Sequence, residues 1–245
     1  MPNPSGGEAD TYLITLPALH IEGLIFGSPF IELEGATYIT SSTGYTAKID
    51  YAGKGWISGK KNSFTATLYP TGREKDVLFS VAGQWTKDFA MHAGPAKHAS
   101  AATLIDSYDP AKVPASKLVV APLEQQHPLE SRRAWSRVAA AIAKGDLDLV
   151  SLEKGKIENA QREMRNREKA EGRAWERRYF SVDPTRPDGV LASLGPIVGV
   201  PEHGDADKTG GLWRFDRVKA ERAGRELRSL TAEEQAKVAR ELLGQ

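Results

Sequence analysis

The chain has 245 residues, of which 40% are hydrophobic and 27% charged, with a formal net charge of +1 at pH 7. A balance this close to neutral gives no global field toward nucleic acid or an anionic membrane, so any such attraction has to be local. Cysteine is absent, which excludes a disulfide scaffold, a thiolate zinc site and a cysteine nucleophile.

The first ten residues, MPNPSGGEAD, lack the basic n-region and apolar h-region of a signal peptide. They read as a flexible start. No apolar run approaches the roughly eighteen residues of a membrane-spanning helix. Residues 12–16 are a short β-like run ended by Pro17, and 21–30 are mostly apolar, punctuated by Gly23, Gly27 and Pro29. Ile31 and Leu33 alternate with Glu32 and Glu34, which predicts a strand with one dry face and both carboxylates in water. Strands are predicted over 37–40, 45–51, 55–58, 63–69 and 77–84, separated by Gly44, Ala52-Gly53, Ser58-Gly59 and Thr71-Gly72. Phe64, Ala66 and Leu68 share one face; Ser63, Thr65, Thr67 and Tyr69 share the other. Residues 89–102, FAMHAGPAKHASAA, read as a loop before a strand at 103–108.

Seven or so short antiparallel strands predict a sandwich or barrel. A barrel of about eight strands has room for barely one small ligand, so these strands are too few to enclose a larger tunnel. Helices follow. Pro128 suits a first helical turn and Glu130 complements its dipole. Trp135, Val138, Ala139 and Ile142 form an apolar stripe at helical spacing, and Gly145 is a stop. A second helix is predicted over 153–170, with more than half of its residues charged. From residue 181 on, prolines and glycines predict a long, partly disordered connector. LWRF at 212–215 packs back on the core, and 220–243 form a helix with Leu227, Leu230, Val238 and Leu242 as a loose stripe. Trp56, Trp85, Trp135, Trp175 and Trp213 are mostly core candidates. The expected fold class is mainly β with α: an antiparallel, incomplete β-barrel followed by helices and a partly disordered connector.

Lys154, Glu158 and Arg162 are four residues apart. Each step of four turns only about 40° round a helix, so the three stack along one face. They are either a solvated i,i+4 ladder or a polar cluster in which two cations meet an anionic group and Glu158 orients them. Lys60 and Lys61 sit in a GKKN turn, and Arg132, Arg133 and Arg137 begin the first long helix; each set is a solvated surface or a contact for an anionic group. His127 has no nucleophile elbow around it and is expected to fix its loop by hydrogen bonds. Glu32 and Glu34 lie side by side rather than across a cleft, as a glycosidase would need. No P-loop, HExxH, GxGxxG or metal-spaced cluster occurs. The expectation is therefore no catalytic residue, no metal and no cofactor.

Several longer strings carry a resemblance: LHIEGLIFGSPFIELEG at 19–35, SSTGYTAKIDYAGKGWISGKKNSFTATLY at 41–69, PLEQQHPLESRRAW at 122–135, AWERRYF at 174–180 and LWRF at 212–215. In these the chain resembles the oxysterol-binding-protein-related family of lipid transfer proteins, most of all the fungal short sterol and phosphoinositide carriers. The family's EQ-any-SHHPP motif, with its paired histidines, does not occur in the sequence, and neither does its lid segment. The resemblance implies a partial lipid-binding domain over 11–180 (strands 11–108, helical part 128–180), after a flexible 1–10 and before the connector and C-terminal helix of 181–245. It implies non-vesicular transfer of a sterol or phosphatidylinositol 4-phosphate between cytosolic membrane faces, and no enzyme. Lys154, Glu158 and Arg162 match the family's headgroup-contacting helix, while Lys60, Lys61, Arg132 and Arg133 become contacts to lipid or membrane phosphate. The implied partners are the lipid and, transiently, an anionic membrane, not nucleic acid, and the implied place is the cytoplasm, peripheral at contact sites of endoplasmic reticulum and Golgi type. The alternative is a truncated, non-transferring remnant or interaction module.

Overall fold

A computed structural model of the chain describes residues 10–24, 27–53, 60–174, 177, 179–183, 189–201, 204 and 210–244, without the side chains of 227 and 228. The chain divides into two compact units, one made of 1–116 and 184–212, the other of 117–183 and 213–245.

The first unit is built on β1 (Tyr12–Ile14), β2 (Ala18–Glu22), β3 (Phe30–Ser41), β4 (Tyr45–Ala52), β5 (Ser63–Pro70), β6 (Phe79–Gln84), β7 (Phe89–Ala93) and β8 (Leu104–Tyr108). They make one eight-stranded sheet in the order β1-β3-β4-β5-β6-β7-β8, with β2 also on β3. All these pairings are antiparallel. At twelve residues β3 is long enough to hold both β1 and β2 along the same edge. No pairing joins β8 to β1 or β2 among the described residues, so the sheet is an open barrel wall. Helix α4 (Gly189–Leu194) rests on β1, and the 3-10 turn Pro196–Val198 that follows it rests on β3.

Alternation gives the sheet two different faces. One cross-strand row runs Thr37, Ile49, Ala66, Val81, Met91, and another Gly35, Tyr51, Phe64, Gly83, Phe89, Tyr108. On that face Phe64 and Phe89 meet edge-on with ring centroids 5.7 Å apart, and Phe89 stacks on Tyr108 at 5.2 Å. The opposite face carries Tyr38, Lys48, Thr67, Ser80 and His92 in one row, and Thr40, Thr46 and Tyr69 in the next. Thr40 and Thr46 are fully buried, yet their hydroxyls lie 2.8 Å apart and Thr46 reaches the Thr71 hydroxyl at 2.9 Å, so burial leaves none of the three without a partner. The β3–β4 connection is three residues ending in Gly44 at φ 88, the position where a three-residue hairpin needs the left-handed conformation.

The structure corrects several expectations. Residues 89–102 are not a loop: they contain β7 and two short 3-10 turns. Glu32 is not in water but 6% exposed. Its carboxylate accepts from the Asn62 backbone N–H at 2.9 Å and the Leu33 N–H at 3.2 Å, while the Asn62 amide donates to the Ile31 carbonyl at 2.8 Å. The turn before β5 presents backbone donors that need an acceptor, and Glu32 supplies it, whereas Ile31 stands 51% exposed. Gly53 lies so close that a Cβ there would sit 2.8 Å from the Glu32 Cγ. Within the connector region the structure places the end of β9 (Phe180–Asp183) and α4, and LWRF forms β10 (Leu212–Phe215). The expected strand at 55–58, the Ser58-Gly59 turn, Trp56, Trp175 and the flexible start up to residue 9 lie outside the described residues.

The second unit is helical. It contains α1 (Ser131–Ala134), α2 (Ser136–Lys144), α3 (Leu147–Ala170), α5 (Arg217–Ser229) and α6 (Ala232–Leu243). Its core joins Ala134, Val138, Ile157 and Leu243, with Leu129 and Val150 packed against them. Gly145 stops α2 at φ 70, as expected. The helix expected from Pro128 starts instead at Ser131 and breaks at Trp135, whose φ and ψ are −102° and 11°. The second helix begins at Leu147 rather than 153, because Asp146 caps it by accepting from Leu149 N–H at 2.9 Å. β9 pairs with β10, and Phe180 meets Trp213 and Phe215 edge-on. Trp213 and Trp135 are 40% and 41% exposed, so neither is a core residue.

The single helix expected over 220–243 is two. Thr231 and Glu234 form a capping box that opens α6: Glu234 accepts from the Thr231 N–H at 2.7 Å and the Thr231 hydroxyl accepts in return. Asp216 opens α5, accepting from Lys219 N–H at 3.0 Å and from the Ser181 hydroxyl at 2.9 Å. The backbone N–H of Lys219 holds Asp216 below its ordinary 3.8, and that of Thr231 holds Glu234 below 4.5. Both folded-state values are depressed, so both contributions to stability are complete above the ordinary value and fade as pH falls through the lower, folded one. Glu234→Ala is therefore expected to lower the melting temperature most at pH 7, and by progressively less as the pH is taken below 4.5. Equal shifts across that range in thermal melts would contradict this account.

Candidate functional site

Helix α3 has two jobs on two sides. Ile157 and Ala160 face the core, and the Gln161 amide donates to the Leu242 carbonyl. Gly244, at φ 66, ends α6 so close that a Cβ there would lie 2.9 Å from the Lys156 carbonyl. Glu158 follows Ile157 by one residue, about 100° round the helix, which turns it out of that contact.

On this outward side the Lys154 ammonium bonds to Glu158, and the Arg162 guanidinium lies 3.5 Å from the other carboxylate oxygen. Arg162 also donates to the Asn159 side-chain oxygen at 2.8 Å. The three side chains are 49%, 40% and 61% exposed. The Lys154 hydrogen bond, its charge and then that of Arg162 hold the Glu158 carboxyl below its ordinary 4.5. One carboxylate thus fixes two cations at neighbouring turns. Ammonium has three donors and guanidinium five, so both keep N–H groups for a further acceptor with several oxygens, such as a phosphate.

The other candidate cations are placed elsewhere. Lys60 and Lys61 belong to the sheet unit. The Lys61 ammonium lies 3.7 Å from the Phe30 ring centroid, a cation–π arrangement. The backbone carbonyl of Lys61 accepts from Gln84, and that of Lys60 from the Ser63 hydroxyl. Arg133 is half-buried, its guanidinium donating to the Gln126 carbonyl and, at 2.9 Å, to the Gln235 side chain; it joins the loop to α6. Arg132 is exposed and lines an open groove with Leu123, Ser131, Trp135, Ser136 and Ala139. His127 fixes its loop: its Nδ1 accepts from Leu129 N–H at 3.1 Å and its N–H donates to Glu130 at 3.0 Å. Sequence reasoning missed the groove because Trp135 sits on a helical apolar stripe; the absence of any acid between Ser131 and Gly145 was the available signal.

No group of three or more His, Asp or Glu side chains is placed to hold a metal ion among the described residues. The family model described as oxysterol-binding protein matches residues 4–141. The chain belongs to the oxysterol-binding protein family. An oxysterol-binding protein homologue of Schizosaccharomyces pombe is 40% identical over 195 residues, which cover 80% of this chain and 47% of that protein. The chain spans about half the length of the curated relatives it matches. Among solved structures, the Osh1 ORD domain in complex with ergosterol matches with a TM-score of 0.59 at 13% identity, covering 94% of this chain and 55% of the other. The Osh3 ORD of Saccharomyces cerevisiae in complex with PI(4)P gives 0.53 at 18% identity, covering 91% and 54%. At these identities the likeness is one of fold. The family is one of lipid binding and transport rather than catalysis.

Proposed function

We propose that this chain contributes to binding one sterol or phosphatidylinositol 4-phosphate molecule and to its non-vesicular transfer between cytosolic membrane faces. The observation that carries the reading is the continuous apolar face of the open sheet, from Ile49, Ala66 and Val81 to Phe64, Phe89 and Tyr108. Such a face hides a lipid from water at about 25 cal/mol per Å² buried. Relatives of the same fold have been solved with ergosterol and with PI(4)P. In this reading Lys154 and Arg162, oriented by Glu158, hold the headgroup phosphate, and Lys60, Lys61 and Arg132 contact membrane phosphates. The protein works peripherally at cytosolic membrane faces, at contact sites of endoplasmic reticulum and Golgi type.

The test is extraction. The chain is incubated with vesicles carrying labelled sterol or labelled phosphatidylinositol 4-phosphate, the vesicles are spun out, and lipid in the supernatant is counted. Uptake approaching one lipid per chain is expected for at least one of the two. A supernatant without lipid from either vesicle type overturns the reading for this chain, and the open edge at β8 then favours an interaction module.

A further inference from the structure

The outer side of α1 and α2 is used neither by the helical core nor by the headgroup reading. Ala134, Val138 and Ala141 are buried, yet Trp135 and Ile142 stand 41% and 63% exposed. Trp135, Ala139 and Ile142 follow one another at spacings of four and three, so they share one side of the helix. Leu123, Trp135 and Ala139 are the apolar lining of an open groove of about 380 Å³, completed by Ser131, Ser136 and Arg132. The charge is of one sign: residues 131–145 contain Arg132, Arg133, Arg137 and Lys144 and no carboxylate. Arg133 is turned inward, leaving Arg132, Arg137 and Lys144 exposed. The flanking acids Glu130 and Asp146 accept from the backbone N–H groups of His127 and Leu149. Glu124, beside Leu123, subtracts one charge from the three.

We propose that this face docks the chain on an anionic phospholipid bilayer. Trp135, Ile142 and Leu123 enter the boundary between headgroups and acyl chains, and Arg132, Arg137 and Lys144 meet lipid phosphates. Exposed tryptophan and isoleucine beside unpaired basic residues are what an interfacial helix presents to a membrane. A patch with a net positive charge matches a uniformly negative surface better than the evenly mixed charges of a protein surface. The inference rests on the lipid-carrier reading only in choosing a bilayer as partner; it needs neither the identity of the cargo nor the role of α3.

Flotation of the full chain with phosphatidylcholine vesicles, with and without phosphatidylserine, tests it. Phosphatidylserine is expected to raise binding by tenfold or more, from about fivefold per basic residue near the surface. Arg132→Glu with Arg137→Glu and Lys144→Glu is expected to abolish that increase. Trp135→Ser with Ile142→Ser is expected to weaken binding to both vesicle types by about tenfold; melting temperatures should stay unchanged in the charge variant and fall modestly in this one, since Trp135 is only 41% exposed. Brominated acyl chains should quench the fluorescence of the wild type more than that of Trp135→Phe. Sterol uptake from cyclodextrin, without any bilayer, should survive in both multiple variants. If the wild type takes up neither sterol nor phosphatidylinositol 4-phosphate but flotation still depends on Trp135, docking stands and the carrier reading falls. Flotation unaffected by either set of substitutions overturns the proposal, as does a dimer in sedimentation that Trp135→Ser dissolves, since the face would then join two copies of the chain.

Discussion

Exchanging Lys154 and Arg162 together for alanine is expected to lower extraction of phosphatidylinositol 4-phosphate from vesicles by about a hundredfold, while sterol uptake stays as it was. Charge-assisted hydrogen bonds contribute about 1.5–3 kcal/mol each, so losing two such contacts corresponds to about two to four decades in affinity, and the exposure of both side chains puts the loss at the lower end. Both side chains are substantially exposed, so their removal leaves the core of Ile157, Val138 and Leu243 intact. Glu158→Gln is a useful companion. It keeps a hydrogen-bond acceptor between the cations but removes the charge that holds them, so a smaller loss is expected. A sterol has no phosphate to meet these groups, and equal loss of sterol and phosphoinositide uptake would sink the assignment.

Ile157→Ala is expected to destabilise the helical unit by about 2–5 kcal/mol. Ile157 is 5% exposed in a core shared with Ala134, Val138 and Leu243, with Leu129 and Val150 packed against it, and truncation leaves a cavity that neighbours fill only in part. Ile157→Val, which removes one methylene, should cost about 0.5–1.5 kcal/mol. Denaturant titrations followed by far-ultraviolet circular dichroism measure both. Because Glu158 is the next residue of the same helix, headgroup binding should weaken in Ile157→Ala to the extent that α3 frays. An unchanged midpoint would show that α3 does not depend on this contact.

Much of the sheet was legible in the sequence, for a physical reason: β4 and β5 alternate cleanly and turn at glycines, and alternation is a local property. β7 was not legible, because Phe89–Ala93 runs into a stretch of alanines and glycine that carries no period. Its place as a strand comes from pairing with β6 and β8. Glu32 failed differently. Its neighbours alternate as expected, but the donor that draws it in belongs to Asn62, thirty residues away, and no local pattern records that. On α3 the spacing of Lys154, Glu158 and Arg162 was readable and the structure brings the three together. Its true start was not, since Leu147 and Val150 become a helix only once Asp146 caps them. In the same way the pair Thr231 and Glu234 was a visible capping box inside a segment read as one continuous helix.

The routing of the chain through its two units sets a timetable for its synthesis. The helix and turn that rest on β1 and β3 begin at Gly189, well after β8 has ended at Tyr108. At about 5–20 residues per second, a ribosome needs about 4–16 s to cover that interval, and the earliest strands wait through it without their last neighbours. The helical unit waits longer still, for Leu243. A nascent chain released near residue 183 would therefore carry neither unit complete, and a single early stop would disable both at once.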